Sequence, residues 1–157
     1  MVNILIIDDE EKLRALLKPI ISLEGYKVSD IATIKGARQI LESADIVLCD
    51  VKLPDGNGVD FTKEIKEKYP HIEVILLTAY GNIPDGVQAI KNGAFDYIVK
   101  GNDNDKIIPL LSRASEKVAL QHRVKRLEKQ LGNHFSFEAI VGSSPALQNA
   151  VQLAQKV

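Results

Sequence analysis

Three carboxylates stand at the ends of two short apolar runs. Asp8 and Asp9 follow the run from Ile4 to Ile7, and Asp50 follows the run from Ile46 to Cys49. Both runs read as strands, and a parallel sheet brings neighbouring strand ends together, so the acids are expected to converge. Carboxylates at close range repel, and such a cluster persists mainly where a cation neutralises it. An all-oxygen ligand set selects a hard ion such as Mg2+. A divalent ion beside an exposed aspartate points to phosphoryl chemistry, with Asp50 as the candidate nucleophile. Thr78 closes the run from Val74 to Leu77, and Lys100 follows Tyr97, Ile98 and Val99. Open α/β sheets place their sites at the carboxyl ends of parallel strands. The metal and Lys100 would neutralise phosphoryl oxygens while Thr78 donates a hydrogen bond.

The elements that must position these groups follow from periodicity. Five short Val- and Ile-rich runs lie near residues 3–8, 26–31, 45–50, 73–78 and 95–99. Runs nearly free of polar residues fit strands covered on both faces. Amphipathic segments separate them: Leu13, Leu16 and Leu17; Ala37, Ile40 and Leu41; Phe61, Ile65 and Tyr69; Val87 and Ile90. Alternating βα units predict a doubly wound parallel sheet with right-handed crossovers and helices on both faces. Pro19 should bend the first helix without breaking it. Residues 53–58 read as a tight turn, followed by a helix from Val59 to Tyr69.

Composition narrows the class. The 157 residues carry a net charge of -1 with 26% charged side chains, which favours neither nucleic acid nor an anionic membrane. The apolar runs fall far short of the ~20 residues a membrane span needs. The lone Cys49 excludes an internal disulfide or a cysteine-based zinc site and reads as a small core residue. A soluble cytoplasmic location is expected.

Past Asp103 the character changes. A long helix is predicted from about Asp105 to Leu131, capped by Asp103 or Asp105, with Pro109 near its start. Ile107, Leu111, Ala114 and Val118 form one stripe, while Leu120, Val124, Leu127 and Leu131 form another facing nearly the opposite way. The first is expected to pack on the sheet and the second to make a coiled-coil dimer seam. Six basic residues against two acidic ones between Ser112 and Leu131 read as a solvated coiled-coil flank, not a nucleic-acid surface. Gly132 and Asn133 are expected to end the helix. A further amphipathic segment then carries Leu147, Val151, Leu153 and Ala154 and stops without a terminating signal, as if cut inside another domain.

Asp8-Asp9, Asp50 followed by Leu53-Pro54 and Gly58, Thr78-Ala79, and Lys100 together resemble the receiver domain of two-component response regulators, over about residues 1–120. The resemblance implies a flavodoxin-like (βα)5 fold with strand order 2-1-3-4-5 and a phosphoaspartate at Asp50. It also implies Mg2+ held by Asp9, the Asp50 carboxylate and the Lys52 backbone carbonyl, with Asp8 acting through water. Lys100 would pair with Asp50 or its phosphoryl group, and Thr78 with Tyr97 would form the switch pair. One departure stands out: Gly101 follows the lysine where the family usually has proline. Residues 139–148 resemble the opening of the AAA+ domain of NtrC-like sigma-54 activators. The implied organisation is a receiver over 1–106 whose last helix continues to about 120. A helical coiled-coil linker over 107–134 and a truncated AAA+ fragment over 135–157 complete it. A sensor histidine kinase, a homodimer and, in a longer protein, AAA+ and DNA-binding domains acting on sigma-54 polymerase are the implied partners. No G-x-x-x-x-G-K-[ST] phosphate loop occurs, so the expectation is a phosphoryl-acceptor switch, not an ATPase. Two rivals are a pseudo-receiver used only for dimerisation and a haloacid-dehalogenase-type phosphatase. The latter puts its nucleophile in a D-x-D pattern after the first strand, whereas residues 8–10 are Asp-Asp-Glu.

Overall fold

The computed structural model describes residues 1–79, 83–101 and 104–141, with side chains for 1–79, 83–101 and 105–131. Five strands form one parallel sheet: β1 (Asn3–Ile7), β2 (Lys27–Ile31), β3 (Ile46–Asp50), β6 (Glu73–Thr78) and β7 (Asp96–Val99). Their spatial order is β2-β1-β3-β6-β7. That is the expected 2-1-3-4-5 order once a short antiparallel ribbon, β4 (Lys52–Leu53) with β5 (Gly56–Asn57), is set aside. The ribbon replaces the simple turn predicted over residues 53–58. Helices α1 (Glu11–Leu23), α2 (Ile34–Ile40), α3 (Gly58–Lys68), α4 (Ile83–Lys91) and α5 (Ile107–Val141) complete the fold.

Alternation along the strands feeds two cores, because successive strand side chains point to opposite faces. Leu5, Ile7, Val47, Cys49, Val74 and Leu76 pack with Ile34 and Ala37 of α2 and Phe61 and Ile65 of α3. Ile4, Ile6, Ile46, Leu48, Ile75 and Leu77 pack with Leu17 and Ile21 of α1 and with Ile107, Leu111, Ala114 and Val118 of α5. Each fully buried aliphatic side chain contributes about 1.5–3 kcal/mol. The sheet is therefore a rigid platform for what stands at its carboxyl edge.

Some apolar positions chosen from helical spacing face outward. Leu16, Ile40, Val87 and Ile90 are exposed, while Ala89 is the buried residue of α4. Gly86 lies against the Tyr97 ring, so the small residues of α4 face the sheet and its large ones do not. Helix α1 runs through Pro19 unbroken. Asp103 lies outside the described residues; a 3-10 turn from Asn104 to Lys106 precedes α5.

The chain divides after Val118 into two units. In the first, the Ile107 to Val118 stripe of α5 is buried as expected. In the second, Leu120, Val124, Leu127 and Leu131 are 60%, 51%, 52% and 55% exposed. Helix α5 continues to Val141, past the expected stop at Gly132 and Asn133. A lone glycine costs a helix interior only about 1 kcal/mol relative to alanine and does not by itself end it. Of the expected 135–157 fragment, residues 135–141 belong to α5, and 142–157 lie outside the described residues.

Candidate functional site

Strand register brings the acids together. Ile7 pairs with Cys49, so Asp8, one step past β1, stands beside Asp50 at the end of β3. Asp50 pairs with Leu77, and Thr78 pairs with Val99, which sets Thr78 and Lys100 at the next two strand ends. The carboxylates of Asp8, Asp9 and Asp50 offer ligand atoms that all lie within 4.8 Å of one another. Asp9 is exposed, whereas Asp8 and Asp50 are buried.

Lys100 reaches into this cluster. Its Nζ lies 2.7 Å from Asp8 Oδ2, 3.2 Å from Asp50 Oδ2 and 3.7 Å from Glu10 Oε1. The contact to Asp50 is a hydrogen bond; the shorter one to Asp8 is an ion pair without hydrogen-bond alignment. Burial works against the Lys100 ammonium, but Asp8 and Asp50 outweigh it and raise its pKa. Burial, then the neighbouring Asp8 charge, raises the Asp50 carboxyl, against the opposing pull of Lys100 and of the Lys52 N–H, which donates to it. Oxygen-only donors whose ligand atoms all lie within 4.8 Å of one another suit a hard divalent cation. Asp8 also shapes the chain locally, because its Oδ1 accepts from Glu10 N at 2.8 Å and turns the backbone into α1.

Gly58 sets the placement of Asp50. A Cβ there would lie 2.2 Å from the Asp50 carbonyl oxygen, so only glycine lets α3 start against the end of β3. Gly58 N donates to Val51 O at 2.7 Å, and Asn57 caps α3 by accepting from Val59 N at 2.7 Å. Thr78 is buried at the end of β6, where its carbonyl accepts from Lys100 N at 2.6 Å. The Tyr97 ring is half-buried against Gly86, and its buried hydroxyl has no hydrogen-bond partner among the described residues. Gly101 adopts φ 85, a conformation glycine takes at little cost and proline cannot. Cys49 is buried beneath the site, where burial pushes its thiol up.

Spacing did not reveal Glu10 or Asp55 as members of this neighbourhood. Glu10 adjoins the acidic pair and could have been included on proximity alone. Asp55 could not: it works on α2, twenty residues upstream, where its Oδ1 accepts from Ile34 N and its Oδ2 from Lys35 N, each at 2.9 Å. Leu120, Val124, Leu127 and Leu131, expected to form a seam, lie on α5, outside the unit that holds the pocket. Among the described residues, no helix is long and apolar enough to cross a membrane.

Comparison with known proteins places this geometry. Residues 4–112 match the response regulator receiver domain family. The transcriptional regulatory protein ZraR of Escherichia coli K12 is 34% identical over 153 residues, covering 94% of this chain and 33% of that protein. The DNA-binding transcriptional regulator NtrC of Proteus hauseri is 31% identical over 153 residues, covering 96% of this chain and 32% of its own. The chain thus spans about a third of the length of these curated relatives. The solution structure of a beryllofluoride-activated NtrC4 receiver domain dimer aligns with TM-score 0.71 at 32% identity. It covers 75% of this chain and 99% of the other. With its sheet order, its acidic strand ends and its lysine in register, this chain belongs to the response regulator receiver domain family.

Proposed function

We propose that this chain is the phosphorylation-controlled input region of an NtrC-like activator, accepting a phosphoryl group on Asp50 from a sensor histidine kinase. The observation that carries this is the meeting of Asp8, Asp9 and Asp50 within 4.8 Å around the ammonium of Lys100. Asp9, the Asp50 carboxylate and the Lys52 carbonyl would hold Mg2+, with Asp8 acting through water, and the bound ion would neutralise charge on the phosphoryl oxygens. An Asp50 oxygen attacks phosphorus in line with the phosphohistidine; the P–N bond breaks and the imidazole leaves with the electron pair. Lys100 already contacts Asp50 Oδ2 and offsets the charge that develops in transfer.

The acyl phosphate then biases a two-state element. Thr78 turns its hydroxyl toward the new phosphoryl oxygens. Tyr97 responds to the rearranged α4, since its ring rests on Gly86 and its hydroxyl has no partner among the described residues. Moving the population from 1:99 to 99:1 needs about 5.5 kcal/mol of differential stabilisation. A dianion newly paired with cationic groups supplies a large part of that. The exposed seam of Leu120, Val124, Leu127 and Leu131 gives a cytoplasmic homodimer, through which the switch reaches downstream AAA+ and DNA-binding domains acting on sigma-54 polymerase.

Incubation with Mg2+ and acetyl phosphate, followed by intact mass measurement, tests the reading. Stoichiometric, base-labile uptake that Asp50→Asn abolishes supports it. Repeated turnover of a phosphate ester would instead make the chain a phosphatase, and no uptake would make it a passive dimerisation module.

A further inference from the structure

The ribbon that carries Lys52 hangs from a helix to which it is not adjacent in sequence. The first four N–H groups of a helix have no partner within it. In α2 three of them, those of Ile34, Lys35 and Gly36, are satisfied by side chains: Gly36 N donates to Thr33 Oγ1 at 3.1 Å. Ile34 N and Lys35 N donate to the two oxygens of Asp55, each at 2.9 Å. Asp55 occupies the turn between β4 and β5, and Gly56 beside it packs against the Ile34 side chain, where a Cβ would lie 2.8 Å from Cδ1. Helix α2 is in turn tied to α3: Arg38 Nε and a terminal Arg38 nitrogen donate to the two Glu64 oxygens at 2.8 and 2.9 Å, and its guanidinium lies 5.7 Å over the Phe61 ring. At the other end of the ribbon, the Lys52 N–H donates to the Asp50 carboxylate.

We propose that Asp55 is a positioning residue for the phosphoacceptor pocket, holding the ribbon on α2 so that Lys52 keeps its place beside Asp50. The inference rests on the Mg2+-dependent acceptor reading above. Asp55 itself is exposed, away from the buried carboxylates, and touches no reacting atom. Its action runs through two backbone bonds and a two-residue turn, a path short enough to transmit a small displacement. Two parallel bonds to one planar carboxylate fix orientation as well as distance, as bidentate pairing does elsewhere.

Calorimetric titration of Mg2+ into the 157-residue chain and its Asp55→Ala variant, beside thermal melts of both, is the test. Asp55→Ala is expected to weaken Mg2+ binding about tenfold, the low end of the loss typical when a residue supporting metal ligands is removed. Asp55→Asn keeps one acceptor oxygen and should fall between; it decides the matter alone if the alanine variant does not fold. In amide-resolved NMR the Ile34 and Lys35 protons should shift upfield in both variants, and the Lys52 amide should move with them. Melting temperatures that fall while the Mg2+ dissociation constant stays at the wild-type value would make Asp55 a merely structural cap and overturn the inference. A wild-type chain that takes up no Mg2+ would remove the pocket reading first, and this inference with it.

Discussion

Replacing Asp50 with asparagine should make the metal-free protein more stable, although it removes the proposed reactive group. The carboxylates of Asp8, Asp9 and Asp50 lie within 4.8 Å of one another. At an effective dielectric of about 20, each pair at that separation repels by about 3.5 kcal/mol. Lys100 at 3.2 Å from Asp50 returns about 5 kcal/mol on the same footing. Asp9 is exposed, so solvent and salt reduce its share. Asp50 is left with a net repulsion of about 1–2 kcal/mol, to which burial adds. Asparagine removes the charge while its side-chain oxygen can still accept from the Lys52 N–H. Asp50→Asn is therefore expected to stabilise the chain by about 1–2 kcal/mol, roughly 2–8 °C in Tm for 157 residues, in EDTA at low ionic strength and pH 7.

The pH dependence has a definite sign. The folded Asp50 carboxyl is raised above its ordinary 3.8. Below 3.8 it is protonated whether folded or unfolded and the penalty is absent. As pH rises through the folded value, the folded state is forced to ionise and the penalty appears in full. The advantage of the variant should thus grow from acid to neutral pH. With Mg2+ the order should narrow or reverse, because ligand binding stabilises the wild type by RT ln(1 + [L]/Kd), about 1.4 kcal/mol at ten times Kd. Scanning calorimetry with and without Mg2+, at three pH values, reads all of this. A variant melting at or below wild type in EDTA, or by a margin independent of pH, refutes the electrostatic reasoning.

Three other substitutions probe separate links. Gly58→Ala alters no charged group, yet its Cβ would meet the Asp50 carbonyl at 2.2 Å; the acetyl phosphate labelling rate should fall about 100-fold, as expected for an acceptor displaced by about 1 Å. Gly101→Ala should cost about 1–2 kcal/mol in urea denaturation. Its φ of 85 is left-handed and nothing lies within 4 Å of an added Cβ, so the cost is backbone strain alone. Leu127→Arg, at an exposed position of the proposed seam, should shift a dimer toward monomer in sedimentation velocity while Asp50 labelling stays at the wild-type rate. An unchanged profile removes the coiled-coil assignment.

Much of the site was legible in the chain because strand ends announce themselves. Four apolar runs each stop at a polar or charged residue, and in a parallel sheet those stops must share one edge, so Asp8, Asp50, Thr78 and Lys100 could be grouped before any coordinates. Buried strands also reveal themselves by composition, which is why the five runs became the five strands of the sheet. Helix orientation was less legible: Val87 and Ile90 keep helical spacing but face outward, because close approach to β7 selected Gly86 and Ala89 instead. The end of α5 escaped for a related reason, since glycine is a weak stop when nothing else competes for the chain. Only the folded structure decided which acids Lys100 bridges, why position 58 tolerates no side chain, and that Asp55 closes the start of α2. Those facts depend on distances between segments far apart along the backbone. Local propensity and periodicity carry no record of such distances, which packing alone sets.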